Sequence, residues 1–140
     1  RLCRFFFVYC KNRIIMKITK NFSIKEFECR DGSGMPVNII ANIIDLAEQL
    51  QILRDYVDKP IQINSGYRSP EYNKKIGGAS RSMHKEGKAG DIVIKGMTPG
   101  EVYNTIEKLI SQGEMTEGGL GLYKTFIHYD IGYNGQKRRW

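Results

Sequence analysis

The chain has 140 residues, 41% of them hydrophobic, and a formal net charge of +7. This length fits one domain with one proper core, and the composition excludes a disordered or fibrous protein. The positive charge favours polyanions such as nucleic acid, anionic lipid or an anionic cell-wall polymer, without choosing among them. Lysines and arginines are scattered and form a run only at residues 137–139, so we expect no dedicated nucleic-acid surface.

Residues 1–15 differ in character from the rest of the chain. Their apolar run, residues 5–10, ends at Lys11. It is too short for a transmembrane helix, which needs about 20 apolar residues. It is also a poor signal peptide, because no small-residue cleavage site follows. We expect residues 1–15 to be upstream sequence or an unprocessed leader outside the fold, and residues 16–140 to form the domain.

The cysteines are Cys3, Cys10 and Cys29, an odd number in no metal-binding spacing. We therefore predict free or buried thiols and infer no disulfide framework.

Helices are predicted at four places along the chain. A capping box that begins at Ser23 starts a short helix, and a second one at Thr98 starts a helix that ends near Gly113. Between them, apolar residues at helical spacing predict a long amphipathic core helix over residues 36–56. A serine followed by proline predicts another short helix over residues 69–75.

Strands are predicted at residues 61–67, 91–95, 118–123 and 125–131, because apolar and polar residues alternate there or form short apolar runs. We see no linker or internal repeat. The fold class is therefore predicted as a single α+β domain, in which a small antiparallel sheet packs against the long N-terminal helix and a second helix.

The last predicted strand has two different faces. Ile127, Tyr129 and Ile131 share the apolar face, which must be the core side. His128 and Asp130 share the other face, so we expect them to point together into a cleft or into solvent.

The candidate metal ligands are the two histidines of the chain, His84 and His128, together with Asp91. His84 lies in a glycine-rich loop seven residues before Asp91, which opens a strand, so the side chains can meet only through the tertiary fold. A hydrolytic zinc takes three ligands of the His and Asp/Glu type and keeps a fourth position for water. These residues supply such a set, although their spacing also fits two ordinary histidines.

Three motifs give the chain a family resemblance. A Ser-x-His-x-x-Gly-x-Ala-x-Asp pattern spans residues 82–91, preceded by Ser-Gly-Tyr-Arg-Ser at 65–69 and followed by Phe-Ile-His-Tyr-Asp at 126–130. In combination they resemble the zinc D-Ala-D-Ala carboxypeptidase family, peptidase M15, which includes cell-wall endopeptidases and phage endolysins. The resemblance covers residues 22–140.

The resemblance implies one Zn²⁺ per chain in a cleft on the sheet, bound by His84, Asp91 and His128. It also implies that Arg68 binds a substrate carboxylate, for which a guanidinium offers a bidentate fork. A structural salt bridge at a strand end is the alternative for Arg68. Ser82 is expected either to hydrogen-bond substrate or to fix the loop.

The chain departs from the family at the general base. Several members carry a carboxylate three residues before the third zinc ligand, and here that position is Thr125. Asp130 lies on the face of His128 and is the candidate base. It is equally a candidate partner that orients a ligand histidine, and a surface acid is the third alternative. Trp140 is a candidate cleft wall or an ordinary packing residue.

The function implied is a zinc metallopeptidase that cleaves a peptide bond in peptidoglycan stem peptides, as a D,D-carboxypeptidase or an endopeptidase. The rival is a catalytically lapsed, zinc-containing wall-binding module of the same fold, and nucleic-acid binding through residues 137–139 is a weaker third hypothesis. We expect a monomer without a transmembrane segment that acts at the bacterial cell wall, whether periplasmic, extracytoplasmic or phage-delivered.

Overall fold

The computed structural model describes residues 6–10 and 13–140. Its α-helices are α1 (Val37–Val57), α2 (Pro70–Lys75) and α3 (Pro99–Ser111), and short 3-10 helices lie at Ile24–Phe27 and Met83–Glu86. The predicted helices are confirmed, and α1 begins and ends within about one residue of the predicted bounds. The capping box of α3 is present, since the Thr98 amide donates to the Glu101 carboxylate (2.7 Å) and the Glu101 amide donates to Thr98 Oγ1 (3.2 Å).

The strands form two sheets. A separate hairpin pairs β1 (Phe6–Cys10) with β2 (Arg13–Lys17). The main sheet has five strands in the order β3-β4-β6-β5-β7, with bounds β3 Ile61–Ser65, β4 Ala89–Ile94, β5 Gly119–Leu122, β6 Ile127–Asp130 and β7 Arg138–Arg139.

The main sheet is mixed, because β7 runs parallel to β5 while the other pairs are antiparallel. The prediction of an antiparallel sheet is therefore wrong at this edge. A two-residue strand cannot show alternation, so nothing in the sequence pattern marked β7. The single α+β domain itself is confirmed.

The core lies between α1 and the sheet. Ile43, Leu46, Leu50 and Leu53 of α1 are fully buried, and a Cβ on Gly90 of β4 would stand 3.8 Å from both Leu46 and Leu50. Burial of each such side chain contributes about 1.5–3 kcal/mol. The helix α3 packs on β5 and β6 beside them, so it supports the strand that carries His128.

The hairpin β1–β2 was not expected from the sequence. Its second strand is joined to the rest of the chain by a bridge between Lys17 and Ser23. That the domain begins at residue 16 stays a prediction. Cys29 is buried and free, as predicted, whereas the predictions for Cys3 and for the thiol of Cys10 fall outside the described part. None of the helices in that part is long and apolar enough to cross a membrane.

Candidate metal centre

His84 is placed by the short 3-10 helix Met83–Glu86. Ser82 caps this turn, because its Oγ accepts the amide of His84 (3.3 Å), and the backbone amide of Arg68 donates to the His84 carbonyl (3.0 Å). Gly87 ends the turn at φ +69°, where a side chain would be strained and its Cβ would meet Ile39 of α1 at 2.7 Å. The turn therefore sits tightly against α1, and His84 is buried.

The tautomer of His84 is fixed by a backbone carbonyl. Its Nδ1 lies 2.7 Å from the Gly66 oxygen, and a carbonyl can only accept, so Nδ1 carries the proton. Its Nε2 faces Asp91 Oδ1 at 3.1 Å. A carboxylate oxygen can only accept, so this short contact is favourable when a proton or a cation lies between the two atoms.

Asp91 and His128 meet because they are register partners on the antiparallel strands β4 and β6. His128 Nδ1 lies 3.0 Å from Asp91 Oδ1, the same oxygen that faces His84. Burial by itself would raise the pKa of Asp91, but hydrogen bonds to both histidines hold this pKa well below its usual range. Asp91 is therefore ionised.

His128 lies between two carboxylates. Its Nε2 is 2.9 Å from Asp130 Oδ2, on the side of the ring opposite to Asp91. Burial would lower the pKa of His128, yet the hydrogen bonds to Asp130 and Asp91 raise it above its ordinary value. The metal-free protein thus favours a positive charge at this point, and a metal on the Asp91 side would replace the Nδ1 proton.

The donor set fits a divalent cation such as zinc. One atom from each of His84, Asp91 and His128 lies within 4.8 Å of the other two, and all three residues are buried. Two imidazoles and one carboxylate that converge from three elements match a three-ligand zinc site with one position open. The sequence prediction that these residues converge is confirmed, and their role as ligands stays a prediction.

Arg68 lies beside this cluster. Its Nη2 donates to Asp91 Oδ2 at 3.1 Å, and its Nε donates to Ser65 Oγ at 3.0 Å. The structural salt bridge considered for Arg68 is therefore present, and it leaves Asp91 Oδ1 directed at the histidines. Arg68 also lines the cleft, so the salt bridge does not remove it from the reach of a substrate.

A cleft of about 390 Å³ opens over the cluster. Three arginines line it. Arg68 pairs with Asp91 and Arg138 pairs with Asp130, whereas Arg81 has no partner within the described residues. The basic lining suits a substrate that carries carboxylates.

Aromatic residues form one wall of the cleft. The ring of Trp140 lies 5.1 Å from that of His128, and its Nε1 donates to the Tyr123 hydroxyl at 2.8 Å. Tyr123 in turn stacks on Phe126 at 4.4 Å. The structure therefore places Trp140 in the wall of the cleft, which was one of the two interpretations of this residue from the sequence.

Asp130 is not a surface acid, because it is fully buried. Burial would raise its pKa, but the hydrogen bond to His128 and the charge of Arg138 hold this pKa below its ordinary value. The contact with Arg138 was missed from the sequence, where Arg138 and Arg139 looked like part of an exposed basic run. Arg139 is also paired, with Glu107 and Glu117.

Comparison with known proteins gives a consistent result. A sequence model described as peptidase M15 matches residues 20–130. Over 78 residues the chain is 43% identical to the zinc D-Ala-D-Ala carboxypeptidase of Streptomyces albus G, and the aligned region covers 51% of this chain and 31% of that protein. Over 89 residues it is 35% identical to the peptidoglycan L,D-endopeptidase MepK of Escherichia coli K12, and the aligned region covers 59% of this chain and 44% of MepK. The chain spans less than half the length of these relatives.

Proposed function

Because the chain belongs to the peptidase M15 family, we propose that it is a zinc-dependent peptidase that cleaves a peptide bond in peptidoglycan stem peptides, as a D,D-carboxypeptidase or an endopeptidase. The observation that carries this proposal is the convergence of His84, Asp91 and His128 at one point under an open cleft. Two relatives, one named as a D-Ala-D-Ala carboxypeptidase and one as a peptidoglycan endopeptidase, support the substrate class.

The proposed ligands of a single Zn²⁺ are His84 Nε2, Asp91 Oδ1 and His128 Nδ1. Zinc held in this way would act as a Lewis acid on the scissile carbonyl and would lower the pKa of a bound water. Neighbouring groups of the chain orient two of these ligands. The Gly66 carbonyl fixes the proton of His84 on Nδ1, and Arg68 holds Oδ2 of Asp91 so that Oδ1 remains for the metal.

Asp130 is proposed to orient His128 rather than to act as the general base. Its Oδ2 accepts from His128 Nε2, while its Oδ1 accepts from the Gly119 amide and from Arg138. Both oxygens are thus engaged, and the carboxylate contacts the nitrogen of the imidazole opposite to the one that faces Asp91. A carboxylate in this position fixes the ring and increases the basicity of the ligand nitrogen.

The proposal is tested by incubating purified protein with peptidoglycan, with and without a zinc chelator, and by identifying released fragments by mass spectrometry. We expect release that the chelator stops and that added zinc restores. Loss of a terminal D-alanine would identify a carboxypeptidase, and a longer released peptide would identify an endopeptidase. Binding to the wall without any chelator-sensitive release would favour the catalytically lapsed module, which the absence of an acid at Thr125 keeps in view.

Arg68 is proposed to bind a carboxylate of the substrate, and Ser82 lies in the same cleft as a further contact. We expect wild-type protein to prefer a stem peptide with a free carboxylate over the same peptide with that carboxylate amidated. Charge-assisted hydrogen bonds contribute about 1.5–3 kcal/mol, so Arg68→Ala should reduce this preference by about 10–100-fold.

The matched control is Arg81→Ala, which removes a cleft arginine that pairs with no acid in the described chain. The ratio of kcat/KM for the two peptides is compared at equal zinc content, because Arg68 also contacts Asp91. If Arg81→Ala loses the preference for the free carboxylate and Arg68→Ala keeps it, then Arg81, and not Arg68, binds the carboxylate of the substrate.

We further propose action at the bacterial cell wall, and a monomer as the active unit. The three proposed ligands, the arginines and the aromatic wall all come from one chain. Within the described residues, the basic run at 137–139 offers little free charge to nucleic acid, since Arg138 and Arg139 pair with acids.

A further inference from the structure

Residues 138–140, here called the 138–140 segment, lie directly beside the proposed metal centre. The backbone fixes them there as an edge strand: the Arg138 amide donates to the Gly118 carbonyl (3.0 Å), and the Leu122 amide donates to the Trp140 carbonyl (2.8 Å). The segment thus runs along β5, while β6 with His128 lies on the other side of β5. The side chains of Arg138 and Trp140 reach across β5 towards Asp130 and His128.

Arg138 reaches His128 through Asp130. The Arg138 guanidinium and the Gly119 amide (3.1 Å) both donate to Asp130 Oδ1, which leaves Oδ2 for His128 Nε2 at 2.9 Å. A carboxylate whose second oxygen is held by two donors cannot rotate away from the imidazole without breaking both contacts. Arg138 therefore fixes the orientation of the group that fixes His128.

Trp140 restrains the same imidazole through its ring. The two ring centroids are 5.1 Å apart, and the indole N–H is tied to the Tyr123 hydroxyl at 2.8 Å. The indole is therefore held at one end by the Tyr123 hydroxyl and at the other by the backbone pairing of Trp140 with Leu120 and Leu122.

Two glycines of β5 make room for these contacts. A Cβ on Gly119 would stand 2.1 Å from Asp130 Oδ2, and a Cβ on Gly121 would stand 2.5 Å from Trp140 Nε1. Real Cβ atoms do not approach that closely, so any other residue would displace Asp130 or Trp140. The space is provided at both points where the 138–140 segment acts on His128.

We propose that Arg138 and Trp140 are positioning residues of the metal centre, which hold His128 with Nδ1 directed at Asp91 and Nε2 directed at Asp130. This inference rests on the proposed role of His128 as a metal ligand. Groups that orient a metal-binding histidine typically account for about 10–100-fold in metal affinity. The 138–140 segment then contributes to zinc affinity without supplying a ligand.

The neighbouring Arg139 provides a matched control. It anchors the same segment by ion pairs with Glu107 and Glu117 and by a hydrogen bond to the Gly118 carbonyl. None of these partners is Asp130 or His128. Arg139→Gln therefore loosens the segment as a whole, whereas Arg138→Gln removes the contact that leads to the metal centre.

The experiment measures the zinc dissociation constant by competition with a chromophoric chelator, together with the melting temperature of the metal-free protein. We expect Arg138→Gln to weaken zinc binding by about tenfold or more, Trp140→Leu to weaken it less, and Arg138→Lys to restore much of the loss because the charge is kept. Arg139→Gln should keep the wild-type zinc affinity even if its melting temperature falls as far as that of Arg138→Gln.

Equal loss of zinc affinity in Arg138→Gln and Arg139→Gln, in step with the loss of stability, would overturn the inference. So would wild-type affinity in both Arg138→Gln and Trp140→Leu. Neither result touches the proposed function as long as the wild-type protein binds zinc and releases fragments from peptidoglycan. A wild-type protein that does neither refutes the proposed function itself.

Discussion

Asp91→Asn is expected to abolish both zinc binding and peptidase activity. Asp91 contacts every other group of the proposed centre: its Oδ1 faces both histidines, and its Oδ2 accepts from Arg68. An asparagine of the same shape is a poor zinc ligand, and its NH₂ group must face either Arg68, which is a donor, or the metal. The loss should exceed the 10–100-fold that outer partners of a metal site typically cost.

The measurement is the melting temperature with and without zinc, beside the rate of peptide release. Free zinc at 100 times its dissociation constant stabilises a folded protein by about 2.7 kcal/mol. Wild-type protein should show this stabilisation, and Asp91→Asn should not. The control is Asp58→Asn, the same change at an exposed residue whose φ of +50° suits asparagine. Zinc stabilisation that survives in Asp91→Asn would contradict the proposed ligand set.

Local features of the fold were predictable from the sequence. The capping box at Thr98, the proline at the start of α2 and the apolar spacing of α1 each depend on residues within one or two turns, and all three elements are present. The edge strand β7 was missed because it has two residues and is defined by its parallel partner β5.

The candidate site was predictable as far as residue types and family motifs reach. The alternation of apolar and polar residues placed His128 and Asp130 on one face of β6, but it could not show that both side chains are buried. The acids that pair with these arginines lie outside the run: Asp130 is eight positions from Arg138, and Glu107 is 32 positions from Arg139. For this reason two of the three cations in a run that looked like a free basic surface, Arg138 and Arg139, prove to be paired with acids, while Lys137 is exposed.

The contacts around the three proposed ligands follow one pattern. Each ligand has a second polar contact that leaves one atom for the metal: the Gly66 carbonyl for His84, Arg68 for Asp91, and Asp130 for His128. Two of these contacts depend on a further side chain, because Arg68 donates to Ser65 Oγ and Arg138 donates to Asp130. The geometry of Asp91 and of His128 is therefore open to perturbation by substitution of residues that are not themselves ligands.

Asp130→Asn is expected to weaken zinc binding by about 10–100-fold. The asparagine has one oxygen where the aspartate has two. That oxygen can accept from His128 Nε2 or from the Gly119 and Arg138 donors, but not from both, and the NH₂ group then opposes a donor on the other side. The imidazole loses its fixed partner, and Arg138 loses its charge partner.

The same substitution separates the two roles that the sequence allowed for Asp130. If Asp130 orients His128, Asp130→Asn binds zinc weakly, and saturating zinc restores much of the peptide release. If Asp130 is the general base, the dissociation constant of zinc stays at the wild-type value while kcat falls, and no excess of zinc recovers it. Because both oxygens of Asp130 are engaged behind the ring of His128, we expect the first result, with zinc titration of the release rate as the deciding measurement.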